Sequence, residues 1–504
     1  MKSRQLSEKR KMLYNATTNY IYFFLFAFLN FLLNPIFVGL LGTYYFAIWK
    51  TSLKVFDFLT MFDGRASQSI KWVIAQQRKN KLLEKQFKTA VFEALSVTLK
   101  ALPYYILVLL TCSFTVNYLF EDFVEEDFLL VSIFGLLLSL HFLINLMCEV
   151  IDGIFVGMNE AYKSKGLKLL FLIFLNLFIV LNLNAGFGII GIALSYLIST
   201  TLLLLILILL LKSEFDWFKL KSLGEMNREK TAIQPFSKWM SVWGFSDKLF
   251  VTQELFCISI LLGTTAVTSF IFSSFIQVFS LSVTLLIGSA VMPYLANGHK
   301  IEGHSNFING IKVYKEILYF ITSILFGYMV IFNASFVFLW IGSDHYVGQI
   351  ENFLLSLLFV FISLIRSDSQ VGNLSLDLKS RALWSLIFCI GAFLFVYILF
   401  DFYPSMITIL TVILVFRCLF YVTQRELVYK EIKGVGSGAK LVCVIFFLSP
   451  LVMYLGSNYL AESWLNLFIM STLYSVIFCA IYYLFILDSS SRSFVFTIFR
   501  KVIG

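Results

Sequence analysis

The chain has 504 residues, of which 59% are hydrophobic, 18% aromatic and only 14% charged. Soluble domains carry about 25% charged residues, so this composition excludes a water-soluble globular enzyme, a disordered scaffold and a secreted disulfide protein. The formal net charge is +9, but in a membrane protein the location of basic residues is more informative than their sum, and no nucleic-acid partner is predicted.

Apolar runs long enough to cross a membrane recur along the whole chain. A spanning helix needs about 20 apolar residues, and an open sheet cannot satisfy its backbone in lipid. These runs predict helices near residues 19–41, 43–63, 94–120, 128–150, 168–184, 189–211, 239–262, 265–294, 317–341, 352–365, 382–400, 405–424, 441–456 and 465–487. The predicted fold class is an all-α integral membrane protein with about 14 transmembrane helices.

The 39 Lys and Arg residues alternate between the predicted loops. Every second loop, beginning with the N-terminal segment, contains basic residues, and the loops between them contain none. Those loops are short and carry acidic residues, as in the segment 121–127 (EDFVEED). Because basic loops stay in the cytoplasm, the pattern predicts a multi-pass protein with both termini cytoplasmic.

A four-residue sequence occurs twice, as Leu40-Leu41-Gly42-Thr43 and as Leu261-Leu262-Gly263-Thr264. Each copy lies between a predicted helix and its successor, at the same point of two six-helix blocks. This placement indicates an internal duplication, and repeated helix bundles are the usual architecture of secondary transporters.

Ionisable residues inside the predicted spans are candidates for function, because each costs about 2.5–3.5 kcal/mol to insert. Lys50, Lys54 and Asp57 have the spacing i, i+4 and i+7, which places them on one helical face. One interpretation is a Lys54–Asp57 ion pair that only fixes packing. The other is a cationic cavity wall that binds an anionic substrate through Lys50, Lys54, Lys100 and Lys248.

The seventh predicted span carries Asp247, Lys248 and Glu254. Asp247 and Glu254 are seven residues apart and therefore share a face, whereas Asp247 and Lys248 lie near the cytoplasmic end and can also extend to the interface. Asp57, Asp247 and Glu254 are the ion-coupling candidates. No catalytic residue, cofactor or metal site is predicted.

Several short motifs resemble one family. The segment 42–49 (GTYYFAIW), followed by Phe62-Asp63-Gly64 and a basic stretch to Lys88, resembles the first two spans of Wzx-type polysaccharide flippases. These exporters belong to the multidrug/oligosaccharidyl-lipid/polysaccharide (MOP) superfamily. Further similar segments follow in the same order: 191–195 (GIALS), 247–250 (DKLF), 292–293 (MP) and 339–342 (LWIG).

The resemblance implies a MATE-like fold of two six-helix lobes, residues 1–220 and 221–424, with two extra helices in residues 425–504. It implies a transporter, not an enzyme, that moves polyprenyl-pyrophosphate-linked repeat units of O-antigen, lipopolysaccharide or capsule across the bacterial inner membrane by alternating access. Membrane lipids, a polysaccharide polymerase and chain-length proteins are the further partners it implies. Lipid II flippases carry arginines in the first span, which this chain lacks, and this favours a surface-glycan repeat unit.

Two other functions stay open at this point. A drug or cation antiporter of the same fold predicts that carboxylates, rather than lysines, are essential. A membrane glycan polymerase or ligase is the other alternative, and the short outside loops argue against it because they leave no room for an acceptor site.

Overall fold

The computed structural model describes residues 8–60, 67, 69–71, 73–74, 84–214, 233–301, 304–372, 378–431 and 439–486. Within these ranges no strand occurs, which confirms the all-α class. The long helices are α1 (Glu8–Leu59), α2 (Glu84–Thr115), α3 (Phe128–Gly157), α4 (Ala161–Asn184), α5 (Gly188–Glu214), α6 (Ile233–Ser273), α7 (Phe275–Ile301), α8 (His304–Ile341), α9 (Gln349–Gly372), α10 (Leu378–Phe400), α11 (Met406–Glu431), α12 (Ala439–Asn458) and α13 (Trp464–Ile481).

Twelve helices of the described residues are long and apolar enough to cross a membrane. The number is lower than the sequence predicted because α1 contains the first two predicted spans. The predicted eighth span is divided between the end of α6 and α7, where the apolar stretch Phe275–Gly288 is short.

Both copies of the four-residue repeat form a bend inside a helix. Gly42 has φ 77° and ψ 164°, and Gly263 has φ 76° and ψ −173°. Residues with a Cβ atom avoid this region of backbone space, so glycine is required at both places. The repeat therefore marks one backbone conformation that occurs twice.

The chain divides into two compact units. The first comprises Met1–Leu249 and Ser259–Thr265, and the second comprises Phe250–Ile258 and Ala266–Gly504. Helix α6 contributes residues to both. The lobe boundary predicted at residue 220 lies outside the described residues.

Close packing in the first unit depends on two glycines of α3. A Cβ atom on Gly153 would lie 2.7 Å from the backbone oxygen of Ser67, and one on Gly157 would lie 2.8 Å from Cβ of Ile74. Small residues four apart allow neighbouring helices to approach closely. This contact lets Ile74 and Phe155 become fully buried.

In the second unit, α8 and α9 are joined by buried amide side chains. Asn333 donates hydrogen bonds of 2.7 Å to the backbone oxygen of Ser273 and 2.7 Å to Oδ1 of Asn352. Asn352 in turn donates to the backbone oxygen of Met329 at 2.8 Å. Buried amides need such partners, and here they fix α8 and α9 to the point where α6 ends.

The last two helices pack on α8. The Tyr328 hydroxyl donates to the backbone oxygen of Ser471 at 3.0 Å, and the backbone nitrogen of Ala461 donates to Oγ of Ser335 at 2.9 Å. The two helices that the sequence adds beyond a twelve-helix core therefore belong to the second unit.

The helices differ in how much of their apolar surface the protein itself buries. In α9, 61% of the most apolar stretch is buried, whereas in α4 the share is 11%. Exposed side chains of α4 include Leu170, Leu177 and Leu181. A helix that presents leucine over most of its exposed surface is stable against lipid, not against water.

Candidate functional site

Three of the predicted site residues share one face of α1 after the Gly42 bend. Lys54 and Asp57 are exposed and Lys50 is half-buried, whereas Val55 and Phe56 on the other side of the helix are buried. The three side chains therefore lie on the less buried face of the helix. It presents two cations and one carboxylate within the first unit.

The Lys50 ammonium is surrounded by aromatic rings. Its Nζ lies 4.2 Å from the ring centroid of Trp49, 5.3 Å from that of Phe46 and 5.9 Å from that of Phe37. It also donates a 2.9 Å hydrogen bond to Oδ1 of Asn34, a residue that is 4% exposed. Aromatic faces attract cations, so the bend in α1 gives Lys50 a preformed position.

Lys248 of α6 contacts the C-terminal end of α1. Its Nζ donates to the backbone oxygen of Asp57, to Oδ1 of Asp57 at 3.0 Å and to Oγ1 of Thr60 at 2.6 Å. An ammonium group has three donors, and these bonds engage it at a helix C-terminus, where a cation is favoured. Asp57 therefore forms an ion pair with Lys248. One interpretation of the sequence predicts an ion pair with Lys54 instead.

The other two lysines of the predicted substrate-binding set, Lys54 and Lys100, are exposed. Lys54 lies on the face described above, and Lys100 lies on a face of α2 that it shares with Tyr104 and Leu107, whose side chains are also exposed. The structure thus places Lys50 and Lys54 on α1 and joins Lys248 to the end of that helix through Asp57.

The ion-coupling candidates have different surroundings. Asp247 is half-buried beside Lys248. Glu254 belongs to the second unit, where its carboxylate accepts hydrogen bonds of 2.7 and 2.8 Å from the Arg417 guanidinium. Both side chains are almost completely buried, and Arg417 also donates to the backbone oxygen of Phe250. Paired N–H donors match a carboxylate in this way, so both oxygens of Glu254 are engaged.

Sequence reasoning overlooked a second charged cluster in the first unit. Lys168 of α4 lies 2.8 Å from Glu149 and 3.2 Å from Asp152, both on α3. Asp152 also accepts a 2.6 Å hydrogen bond from Ser164 and is 5% exposed. The sequence does contain a signal for this cluster. Glu149 and Asp152 are three residues apart near the end of one predicted helix, and Lys168 lies at the start of the next.

Glu160 links the N-terminal end of α1 to the turn between α3 and α4. Its carboxylate contacts Nζ of Lys11 and lies 2.8 Å from Nζ of Lys163. Burial on its own raises the pKa of Glu160, but the hydrogen bonds from the two lysines outweigh burial and lower the pKa. The contact therefore favours the ionised carboxylate at neutral pH.

Solved structures with a similar fold include MATE transporters of the MOP superfamily. An inward-facing multidrug resistance MATE family transporter has a TM-score of 0.61 and 15% identity, covering 81% of this chain and 96% of its own. The outward-facing conformation of a multidrug resistance MATE family transporter has a TM-score of 0.60 and 14% identity, covering 85% and 96%. At such identities the likeness concerns the fold.

A third similar structure is a MOP superfamily transporter from Pyrococcus furiosus, with a TM-score of 0.61 and 16% identity, covering 84% of this chain and 96% of its own. The reverse polarity of its binding pocket is described as suggesting a different function for that protein. No family model matches this sequence, and no curated protein matches it.

Proposed function

We propose that the chain is a flippase for lipid-linked oligosaccharides in the bacterial inner membrane. It moves polyprenyl-pyrophosphate-linked repeat units of a surface polysaccharide from the cytoplasmic to the outer leaflet by alternating access. The observation that carries the proposal is the pair Lys50 and Lys54, one helical turn apart on a single face of a membrane helix.

The sign of the charge favours an anionic cargo. Lys54 is exposed on α1, and Lys50 lies beside it with its ammonium held by aromatic rings. Removing a lysine ammonium from water costs free energy. Charge-assisted hydrogen bonds to a pyrophosphate would offset part of that cost. A MOP superfamily relative with a pocket of reversed polarity fits the idea that this fold also serves cargoes other than cationic drugs.

The test is deletion of the gene in its source bacterium, followed by extraction of surface glycan and lipid-linked intermediates. Loss of surface glycan, with single repeat units accumulating on the cytoplasmic leaflet, is the expected result. Single units that already face outward would instead identify a polymerase. Plasmid-encoded Lys54→Ala should fail to restore export at an unchanged protein level, whereas full export would exclude Lys54 from the site.

The second candidate function is a drug or cation antiporter. It is favoured by the fold, because the similar solved structures include multidrug resistance transporters. Under this hypothesis the deletion leaves surface glycan intact and raises sensitivity to cationic drugs. Asp57→Asn and Asp247→Asn would then abolish resistance, while substitution of Lys54 would have little effect.

A further inference from the structure

We infer that Asp122 forms a releasable latch between the segment 120–127 and the helical turn that begins at Thr264. The charge pattern predicts that this segment lies outside the cell. The inference rests on the proposed function in one respect: alternating access requires each end of a transporter to open in turn. The contacts themselves all lie within the first unit.

The Asp122 carboxylate binds backbone that the bend at Gly263 leaves free. The backbone nitrogen of Thr264, the first residue after the bend, donates to the two carboxylate oxygens at 2.9 and 3.0 Å, and the Thr264 hydroxyl donates as well. The backbone nitrogen of Glu121 donates to the oxygen of Ser259 at 3.4 Å. A helix that restarts after a bend has unpaired N–H groups, and a carboxylate is their preferred partner.

The absence of a side chain at residue 263 gives Asp122 its place. A Cβ atom on Gly263 would lie 2.8 Å from Cγ of Asp122, whereas around Gly42 the same position is open. The two bends therefore share a backbone conformation, and the second one also receives a carboxylate. The latch is a property of the second copy of the repeat.

The same segment contacts the turn that follows the first bend. The Tyr44 hydroxyl accepts a 3.2 Å hydrogen bond from the backbone nitrogen of Val124, and the Tyr45 hydroxyl donates to Oδ1 of Asp127 at 3.0 Å. One short acidic segment thus joins the helical turns that follow both bends.

The exposure of the Asp122 carboxylate is what makes the contact releasable. Asp122 is exposed, so water can solvate its carboxylate when the hydrogen bonds break, and the net cost of one such bond is small. Thr264 is 2% exposed, because the carboxylate covers its donors, and departure of Asp122 opens them to water. The Glu254–Arg417 pair, by contrast, is buried on both sides. Breaking the Asp122 contact leaves no buried charge behind.

The first experiment measures hydrogen–deuterium exchange of the protein in lipid nanodiscs. Asp122→Ala is expected to raise exchange in residues 120–127 and 259–267 about fivefold, the effect of losing a helix cap. Glu126→Ala, which removes another exposed acid of the segment, is the matched control and should leave exchange unchanged. Equal exchange in Asp122→Ala and wild type would overturn the latch, whatever the cargo is.

The second experiment locks the latch. Asp122→Cys and Thr264→Cys are combined in a variant whose seven native cysteines are replaced, and a one-carbon bis-methanethiosulfonate joins them. Cross-linking should abolish transport of the lipid-linked oligosaccharide, and reductant should restore it, while each single-cysteine variant stays active. Undiminished transport by fully cross-linked protein would overturn the inference. If the wild-type protein transports no such lipid in this assay, the proposed cargo is wrong, and the exchange experiment still decides the latch.

Discussion

Breaking the Glu254–Arg417 pair on one side is expected to destabilise the second unit strongly. The two side chains form a fork with N–O distances of 2.7 and 2.8 Å, and their exposed fractions are 4% and 1%. Removing one partner leaves an uncompensated charge in a place that water does not reach. We therefore expect Glu254→Gln or Arg417→Met to cost about 3–5 kcal/mol in the free energy of unfolding.

Removing both charges together is expected to cost much less. The free-energy cost of removing two charges from water offsets most of the attraction between them. Two apolar residues of similar volume are therefore often neutral or stabilising in place of a buried ion pair. The free energies of unfolding of wild type, both single variants and Glu254→Leu/Arg417→Met form a double-mutant cycle, measured by reversible denaturation in detergent with tryptophan fluorescence. Lys54→Met, at an exposed position, is the control.

Two outcomes would refute this reasoning. Single variants that each cost less than about 1 kcal/mol would mean that water reaches the pair. A double variant that costs the sum of the single variants would mean that the two side chains act independently.

The same double variant tests the prediction that Glu254 couples transport to an ion. Because both of its oxygens already bind Arg417, we expect Glu254→Leu/Arg417→Met to keep transport as well as stability. A stable double variant without transport would instead support Glu254 as an ion-coupling residue.

Four further predictions test other parts of the structure. Lys54→Met should lower export of lipid-linked oligosaccharide at least about tenfold, the value of a charged hydrogen bond, in the assay of accumulated intermediates. Lys248→Met should cost about 1 kcal/mol or less, because its ion pair is partly exposed; a thermal melt that shows a much larger loss would mean that the pair is shielded. Gly263→Ala should lower the melting temperature more than Gly42→Ala, since both incur about 1–2 kcal/mol of backbone strain and the former also clashes with a carboxylate. The lowered pKa of Glu160 contributes stability above the unfolded pKa that is lost as pH falls through the folded value, so Glu160→Gln should flatten the acid limb of a melting-temperature profile.

Most of the fold followed from the hydrophobic pattern, because the length of an apolar run is a property of consecutive residues. The repeat around Gly42 and Gly263 also located both helix bends. What the sequence did not reveal is that these bends are not loops, since a four-residue motif is compatible with either. In the structure, helix continues on both sides of each glycine, and the glycine is the residue with non-helical φ and ψ.

The partners of the charged residues were less accessible to sequence reasoning. Helical spacing placed Lys54 near Asp57, yet Asp57 pairs with Lys248, a residue 191 positions away. In the same way, Arg417 pairs with Glu254, which is 163 residues away in the sequence. The cost of burying a charge predicts that a partner exists, but the identity of that partner depends on which helices pack together.

The surroundings of the lysines on α1 and α6 suggest an order in which an anionic head group would meet them. Lys248 has its three donors engaged by Asp57 and Thr60, whereas Lys54 is exposed. Under the proposed function, a pyrophosphate therefore binds Lys54 first and reaches Lys50 one turn away. Because an approaching anion competes with Asp57 for Lys248, substrate binding would weaken the contact that holds α6 against the end of α1. An anionic cargo would thus change the structure through the same charges that recognise it.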